Sequence, residues 1–260
     1  MHPARQRIDQ LLVTRGFAES RHKAQALLLA GQVLVNEQKV EKPGQMVASD
    51  AAIRILGEMP FVSRAGVKLH AALEHFRIVV SGRVCADLGA STGGFTDCLL
   101  QSGAALVHAY DVGEGQLAWK LSSDPRVVRH ERCNVRYLTA EDLPEHVTLV
   151  TADLSFISLT IILPPLARAL RERMSSEPLP AAGRPADIVV LVKPQFEVGK
   201  GEVGKGGIVR DPAKHQAALN AVEHCAAASG YEIRGSLLSP IAGARGNLEF
   251  LLHLQLLPEL

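Results

Sequence analysis

Four charged residues of this 260-residue chain stand where the surrounding sequence is apolar. Asp153 ends the run VTLVTAD, Lys193 ends IVVLVK, Glu249 sits inside LEFLLHL, and Lys68 lies beside Leu69, Ala72 and Phe76 on a predicted helix. Lysine and glutamate are rarely buried unless they are paired or do chemistry. One reading is a set of ordinary ion pairs at the edges of a sheet. The other is a centre in which amines and carboxylates hold a reacting group and move or loosen its proton. The second gains weight because Asp153 and Lys193 both end predicted strands. In an open parallel sheet the carboxyl ends of the strands face the ligand crevice.

A ligand loop lies upstream. Asp87-Leu88-Gly89-Ala90-Ser91-Thr92-Gly93-Gly94-Phe95 falls between a predicted strand and a predicted helix. Glycines there allow a tight turn and a close approach of backbone to ligand. The spacing is not GxGxxG. An acidic residue at the strand end, Asp87, suits an ammonium-bearing amino acid better than a pyrophosphate, which favours S-adenosylmethionine over NAD. Asp111 ends the next strand about twenty residues on, where a carboxylate can hold ribose hydroxyls. The expected cofactor contacts are Asp87, Gly89, Ala90, Ser91, Thr92, Gly93, Gly94, Asp111 and Asn134.

These residues need a scaffold, and the pattern from Arg83 onward supplies one. RVCADLG, LVHAYDV, VTLVTADL (147–154) and DIVVLVKP (187–194) read as strands. Helices follow from Gly94, near Trp119, through Leu170, and from Pro212 to Ser229. A further helix from about Ser63 to Phe76 precedes them. Such alternation predicts an α/β fold, a Rossmann-like doubly wound parallel sheet. YEIRGSLLS and LEFLLHLQL, joined by a turn-rich loop, predict an antiparallel last strand. SSEPLPAAGRP (175–185) reads as a flexible surface connection.

Residues 5–56 read as a separate, small α+β unit. Ile8, Leu11 and Leu12 have helical spacing, with Gly16 able to end the helix. Ser20 is a good cap for a second helix carrying Ala24, Leu27 and Leu28 and ending at Gly31. QVLVNEQKV reads as strand, turn and strand, and AAIRIL (51–56) as another strand. Gly57-Glu58-Met59-Pro60 breaks the pattern. The expected division is therefore 1–57, a linker 58–62, and 63–260.

Composition narrows the classes. Hydrophobic residues make up 47% of the chain, enough for a full core, and the net charge of +1 makes any nucleic-acid surface a local patch. Residues 1–30 carry such a patch: Arg5, Arg7, Arg15, Arg21 and Lys23 against Asp9 and Glu19 leave +3. The four cysteines form no CxxC pair and no HExxH occurs, so neither a metal site nor a disulfide framework is expected. MHPARQRIDQ does not read as a signal peptide, and no apolar run reaches the roughly 18 residues a spanning helix needs. A soluble, cytoplasmic protein is expected. Gly199-Lys200-Gly201-Glu202-Val203-Gly204-Lys205-Gly206 nearly matches a P-loop but lacks the closing Ser or Thr. It reads instead as a mobile substrate loop with Lys200, Lys205 and Arg210 available to phosphates. Leu154-Ser155-Phe156 follows Asp153 in place of an NPPY-like segment, which favours a hydroxyl over an amino acceptor.

The segments SRAGVKL, DLGASTGGFTD, ADLSFIS, VKPQFEVGKGEVGKGGIVRDP and NLEF resemble the TlyA family, named both for hemolysins and for ribosomal RNA 2′-O-methyltransferases. The catalytic half also resembles FtsJ-type methyltransferases, which use a Lys-Asp-Lys-Glu tetrad. By position the resemblance implies Lys68, Asp153, Lys193 and Glu249 as that tetrad, with no departure at any of the four. It implies S-adenosylmethionine-dependent methylation of a cytidine 2′-hydroxyl. The implied partners are ribosomal RNA or ribosomal subunits, not DNA and not a membrane. Lys193 would then contact the hydroxyl as base or oxygen stabiliser, while Asp153 and Glu249 orient the two amines. RIDQLLVTRGFAESRHKAQALLLAGQVLVNEQKV resembles the S-four-like RNA-binding domain, with Arg7, Arg21 and Lys23 as its expected phosphate contacts. A solvated charged helix face is the plainer reading of those three. Two alternatives remain: an RNA-binding protein with an inactive methyltransferase fold, and a membrane-lytic hemolysin.

Overall fold

A computed structural model of the protein describes residues 4–55, 60–175, 185–199 and 201–256. Most of the expected connection at 175–185, part of the linker and Lys200 lie outside them. The chain divides into two compact units between Met59 and Pro60.

In the first unit β1 (Arg5–Arg7) leads directly into α1 (Ile8–Thr14), and α2 (Arg21–Leu29) follows. The Ser20 hydroxyl caps α2 by accepting the Lys23 amide (3.2 Å). β2 (Val33–Val35) and β3 (Gln38–Lys39) form a hairpin whose two turn residues, Asn36 and Glu37, both take positive φ. β4 (Met46–Ala48) pairs antiparallel with β1, and β5 (Ile53–Ile55) pairs antiparallel with β2. The β1–β4 pair is too short to show a period in the sequence. Ile8, Leu11, Leu12, Ala24, Leu28, Val33 and Val47 form the core.

One carboxylate shares that core. Asp9 is fully buried and accepts from Arg7 (3.0 and 2.9 Å), Arg21 (2.9 Å) and Gln25 (3.2 Å). The Arg7 guanidinium, helped by Arg21 and Gln25 and opposed by burial, holds the Asp9 carboxyl far below the usual carboxylate range. Its contribution to stability is therefore complete above about pH 4, the pKa of a free aspartate, and is lost as the pH falls through the depressed folded value. Asp9→Asn should cost the first unit about 1–3 kcal/mol at pH 7. Hydrogen exchange of the α1 and α2 amides checks this: the gap between variant and wild type should narrow below pH 4. An unchanged gap would remove Asp9 from the acid response.

The second unit opens with α3 (Arg64–His75), begun at Ser63. There follow β6 (Val84–Leu88), α4 (Gly94–Gln101), β7 (Leu106–Tyr110), the single turn α5 (Trp119–Ser122), β8 (Val127–His130) and β9 (Val147–Ala152). α6 (Leu159–Ser175), β10 (Ala186–Val192), the single turn α7 (Pro194–Glu197), α8 (Pro212–Ala228), β11 (Tyr231–Leu238) and β12 (Phe250–Leu256) complete it. The seven strands lie in the order β11-β12-β10-β9-β6-β7-β8. All run parallel except β12, which is antiparallel to both β10 and β11. This is the doubly wound sheet with an antiparallel last strand that the alternation predicts. β8 is the unforeseen member: four residues at the sheet edge carry little periodic signal.

Strand alternation decides which side chains reach which layer. Leu149, Val189, Leu191 and Leu251 pack against the layer containing Leu69, Ala72 and Leu73 of α3 and Leu99 of α4. Val150, Ala152, Val190, Val192 and Leu252 pack against Leu163, Leu166 and Val222 of α6 and α8. Strand order reverses between β6 and β9, which opens a crevice at their carboxyl ends.

Candidate active site

Continuing the strand parity by one step places Asp153, Lys193 and Glu249 on the α3 side of the sheet. Val192 pairs with Phe250, so Lys193 and Glu249 are the next couple in the β10–β12 ladder. Lys68, on the buried stripe of α3, enters from above. The result is two ion pairs: Lys68 contacts Glu249, and Lys193 Nζ lies 2.6 Å from Asp153 Oδ1. Lys68 is 7% exposed, Lys193 9% and Glu249 2%. The structure thus brings together the four residues that interrupt apolar sequence.

A lysine nitrogen offers three donor positions. Lys193 donates one to Ser155 Oγ (3.0 Å) and faces Asp153 Oδ1 as an ion pair without a hydrogen bond to it, which leaves donor capacity for a reacting oxygen. The Phe196 ring lies 5.9 Å from the same nitrogen. Ser155 was not foreseen, nor was Phe156 beside it. Phe156 is 90% exposed and takes φ +64, an uncommon conformation for a bulky residue. Its ring lies 5.2 Å from that of Phe196. Only the unusual sequence SerPheIleSer after a strand-ending aspartate hinted at this loop.

Two sizeable cavities border the glycine turn. One, of about 510 Å³, is lined by Gly89, Ser91, Tyr110, Asp111, Gln116, Asn134, Arg136 and Asp153 among others. The second, of about 190 Å³, reaches from Gly89, Ala90, Ser91, Thr92 and Gly94 to Ser63, Asp153 and Lys193. Gly89, Ser91, Asp153 and Ser155 border both. Gly89 takes φ +82, and a Cβ there would meet the Asp153 carbonyl oxygen at 2.7 Å, so no other residue fits without displacing the site. Gly93, at φ +95, starts α4 and lines neither cavity. Asp111 accepts the Ser91 amide (2.8 Å) and the Gly113 amide (2.7 Å), which ties its carboxylate to the loop while leaving further lone pairs.

Asp87 lies beneath the glycine turn. It shares the parity of Cys85 and points under α4, fully buried, where it accepts Thr96 Oγ1 (2.7 Å) and Thr151 Oγ1 (3.0 Å). Burial pushes its carboxyl up to about 6 despite those hydrogen bonds. It lines neither of these cavities and braces the turn from beneath. The segment after Lys193, expected as a mobile loop, carries tertiary contacts. Gly204 and Ile208 form a bridge, Asn247 donates to the Gly207 carbonyl (2.9 Å), and Val209 donates to Asn247 (3.0 Å). Lys205 and Arg210 remain exposed on this turn. In the first unit Arg7 and Arg21 stay about half exposed although both grip Asp9, and Lys23 pairs with Glu19 at the surface. The pairings with Asp9 depend on the fold, whereas Glu19 and Lys23 are spaced i,i+4.

Known proteins share this architecture. The FtsJ-like methyltransferase model matches residues 61–256, and the S4 domain model matches residues 6–53. The 16S/23S rRNA (cytidine-2′-O)-methyltransferase TlyA of Mycobacterium tuberculosis is 48% identical over 253 residues, covering 96% of this chain and 90% of its own length. Hemolysin A of Brachyspira hyodysenteriae is 40% identical over 248 residues, covering 95% and 98%. A solved hemolysin-named structure from Streptococcus thermophilus is 39% identical, covers 99% of this chain and 90% of that one, and superposes with a TM-score of 0.71.

Proposed function

Because the chain belongs to the FtsJ-like methyltransferase family, we propose that it is an S-adenosylmethionine-dependent ribosomal RNA methyltransferase acting on a cytidine 2′-hydroxyl. The observation that carries this reading is the Lys193–Asp153 pair at the wall of a cavity that opens off the glycine turn, with the buried Lys68–Glu249 pair beside it on the same face of the sheet.

The residues present fit the cofactor. A cavity of about 510 Å³ lies within the range of small-molecule sites, and its polar groups follow the carboxyl ends of β6, β7, β8 and β9. Asp111 and Asn134 would hold the ribose and base side, with the backbone of Gly89 to Ser91 on the amino-acid side. S-adenosylmethionine supplies a methyl group already activated on a sulfonium. The chain's own task is to align and activate the acceptor. Lys193 holds the 2′-oxygen with its remaining donor position and loosens the hydroxyl proton. Asp153 and Ser155 fix the direction of that amine. Lys68, held by Glu249, sets the field on the α3 side. The Phe156–Phe196 pair offers an aromatic face for an unstacked base, a usual device in RNA recognition.

Arg7, Arg21 and Lys23 would meet RNA phosphates with the donors they do not spend on Asp9 and Glu19. Lys205 and Arg210, with Lys200 outside the described residues, would do so beside the acceptor. Location in the cytoplasm, where ribosomal subunits are found, belongs to the same proposal. Among the described residues no helix is long and apolar enough to cross a membrane, and nothing in the site favours a lytic role.

Asp111→Ala is expected to weaken S-adenosylmethionine binding about 10- to 100-fold by calorimetry, from lost charge-assisted hydrogen bonds. Unchanged affinity would leave Asp111 a loop brace only. The function itself is tested with purified protein, methyl-labelled S-adenosylmethionine and separated ribosomal subunits, with label expected in RNA. Cofactor binding without transfer to either subunit would favour the inactive RNA-binding alternative.

A further inference from the structure

Glu197 belongs to neither lysine pair, yet it joins the two segments that flank Lys193. It closes α7, four residues after the lysine. Its Oε2 accepts Ser158 Oγ (2.5 Å) and its Oε1 accepts the Leu159 amide (3.0 Å) at the start of α6. Ser158 Oγ is itself held by the Thr160 hydroxyl (2.6 Å) and accepts the Thr160 amide (3.1 Å). The free amide end of α6, which favours a negative charge, is thus satisfied by a carboxylate from a different element. Burial pushes the Glu197 carboxyl above its ordinary range, so the group stays there against a desolvation cost.

The consequence lies in what this link encloses. Residues 153–158 run from Asp153 through Ser155 and Phe156 to Ser158; residues 193–197 run from Lys193 through Phe196 to Glu197. Lys193 ties the two segments at one end, through Asp153 and Ser155. Glu197 ties them at the other, and the Phe156–Phe196 contact lies between. Among the described residues Phe156 is at once the most exposed large apolar side chain and one with positive φ. Such a conformation persists only where its surroundings hold it. We infer that Glu197 is a positioning residue of the methyl-transfer site: its carboxylate clamps the 153–158 loop to α7 and so sets the placement of Ser155, Phe156 and Lys193 toward the acceptor nucleotide. The inference rests on the reading of this site as an RNA methyl-transfer centre.

Glu197→Ala and Glu197→Gln in the full chain provide the test, with ribosomal subunits and S-adenosylmethionine as substrates. Glutamine keeps one carbonyl acceptor for the Leu159 amide, and the Ser158 hydroxyl can turn to accept from its amino group. Alanine keeps neither contact. Glu197→Ala should lower kcat about 10- to 100-fold through misplacement of the reacting groups. It should also raise KM for RNA, leave the dissociation constant for S-adenosylmethionine within about threefold, and speed amide exchange in 153–160. Glu197→Gln should recover most of the loss. Wild-type kinetics for Glu197→Ala, or a loss of cofactor affinity that matches the loss of kcat, would overturn the positioning role. A wild-type chain that transfers no methyl to RNA would instead overturn the functional reading on which the role depends.

Discussion

Lys193→Ala is expected to lower kcat for methyl transfer by about 10²- to 10⁴-fold, the range for removing a positioned proton-handling group. The dissociation constant for S-adenosylmethionine should change by no more than about threefold. The asymmetry follows from the geometry. Lys193 reaches the smaller cavity, where it meets Asp153 and Ser155, and does not line the larger cavity with Asp111 and Asn134. Its loss therefore leaves the nucleoside side of the cofactor site untouched. Lys193→Arg should not restore the rate, because a planar guanidinium cannot aim three donors as an ammonium does. Single-turnover kinetics beside calorimetry would check both statements. Affinity and rate falling together by the same factor would move Lys193 out of the reaction and into the cofactor site.

The second large effect concerns stability as well as rate. Lys68 and Glu249 form a buried ion pair, with side chains 9% and 2% exposed. Removing one partner strands the other charge in a low-dielectric interior, at a cost of about 3–5 kcal/mol. For a unit of this size that lowers the melting temperature by roughly 6–20 °C. Glu249→Ala should show that drop. The double replacement Lys68→Met with Glu249→Leu removes both charges, and stability should return to near the wild-type value. Methyl transfer should not return with it. A double variant that is both stable and active would reduce the pair to a structural contact. A double variant still as unstable as the single one would show that packing, not the stranded charge, sets the cost.

Part of this site was legible because it breaks a pattern. Asp153, Lys193 and Glu249 interrupt runs that are otherwise apolar, and strand parity sends all three to one face. The alternation from Arg83 onward likewise settles a doubly wound sheet, since a helix after each strand forces parallel neighbours. What escaped has equally physical reasons. β8 and the β1–β4 pair are too short to carry a period. Asp87 is of a type that suits a ligand contact, and its burial under α4 depends on Thr96, nine residues on, and on Thr151, which only the β6–β9 pairing brings to it. Arg7 and Arg21 look like free surface cations until the fold delivers Asp9 between them. Glu197 and Phe156 follow no periodic rule, because their roles arise from contacts between two loops. The contacts of the loop after Lys193 escaped because Asn247, on the far side of α8 in sequence, supplies them.

The central claim is that the acceptor is a ribose oxygen held by Lys193, and the linkage next to the modified nucleotide reports on it directly. A 2′-hydroxyl is the group that attacks the neighbouring phosphodiester in alkali, so a methyl on that oxygen blocks cleavage there, whereas a methyl on the base does not. Ribosomal RNA labelled by the purified chain should therefore give, after alkaline hydrolysis, label in a resistant dinucleotide that begins with cytidine. Label recovered only in mononucleotides would place the methyl on a base and contradict the account.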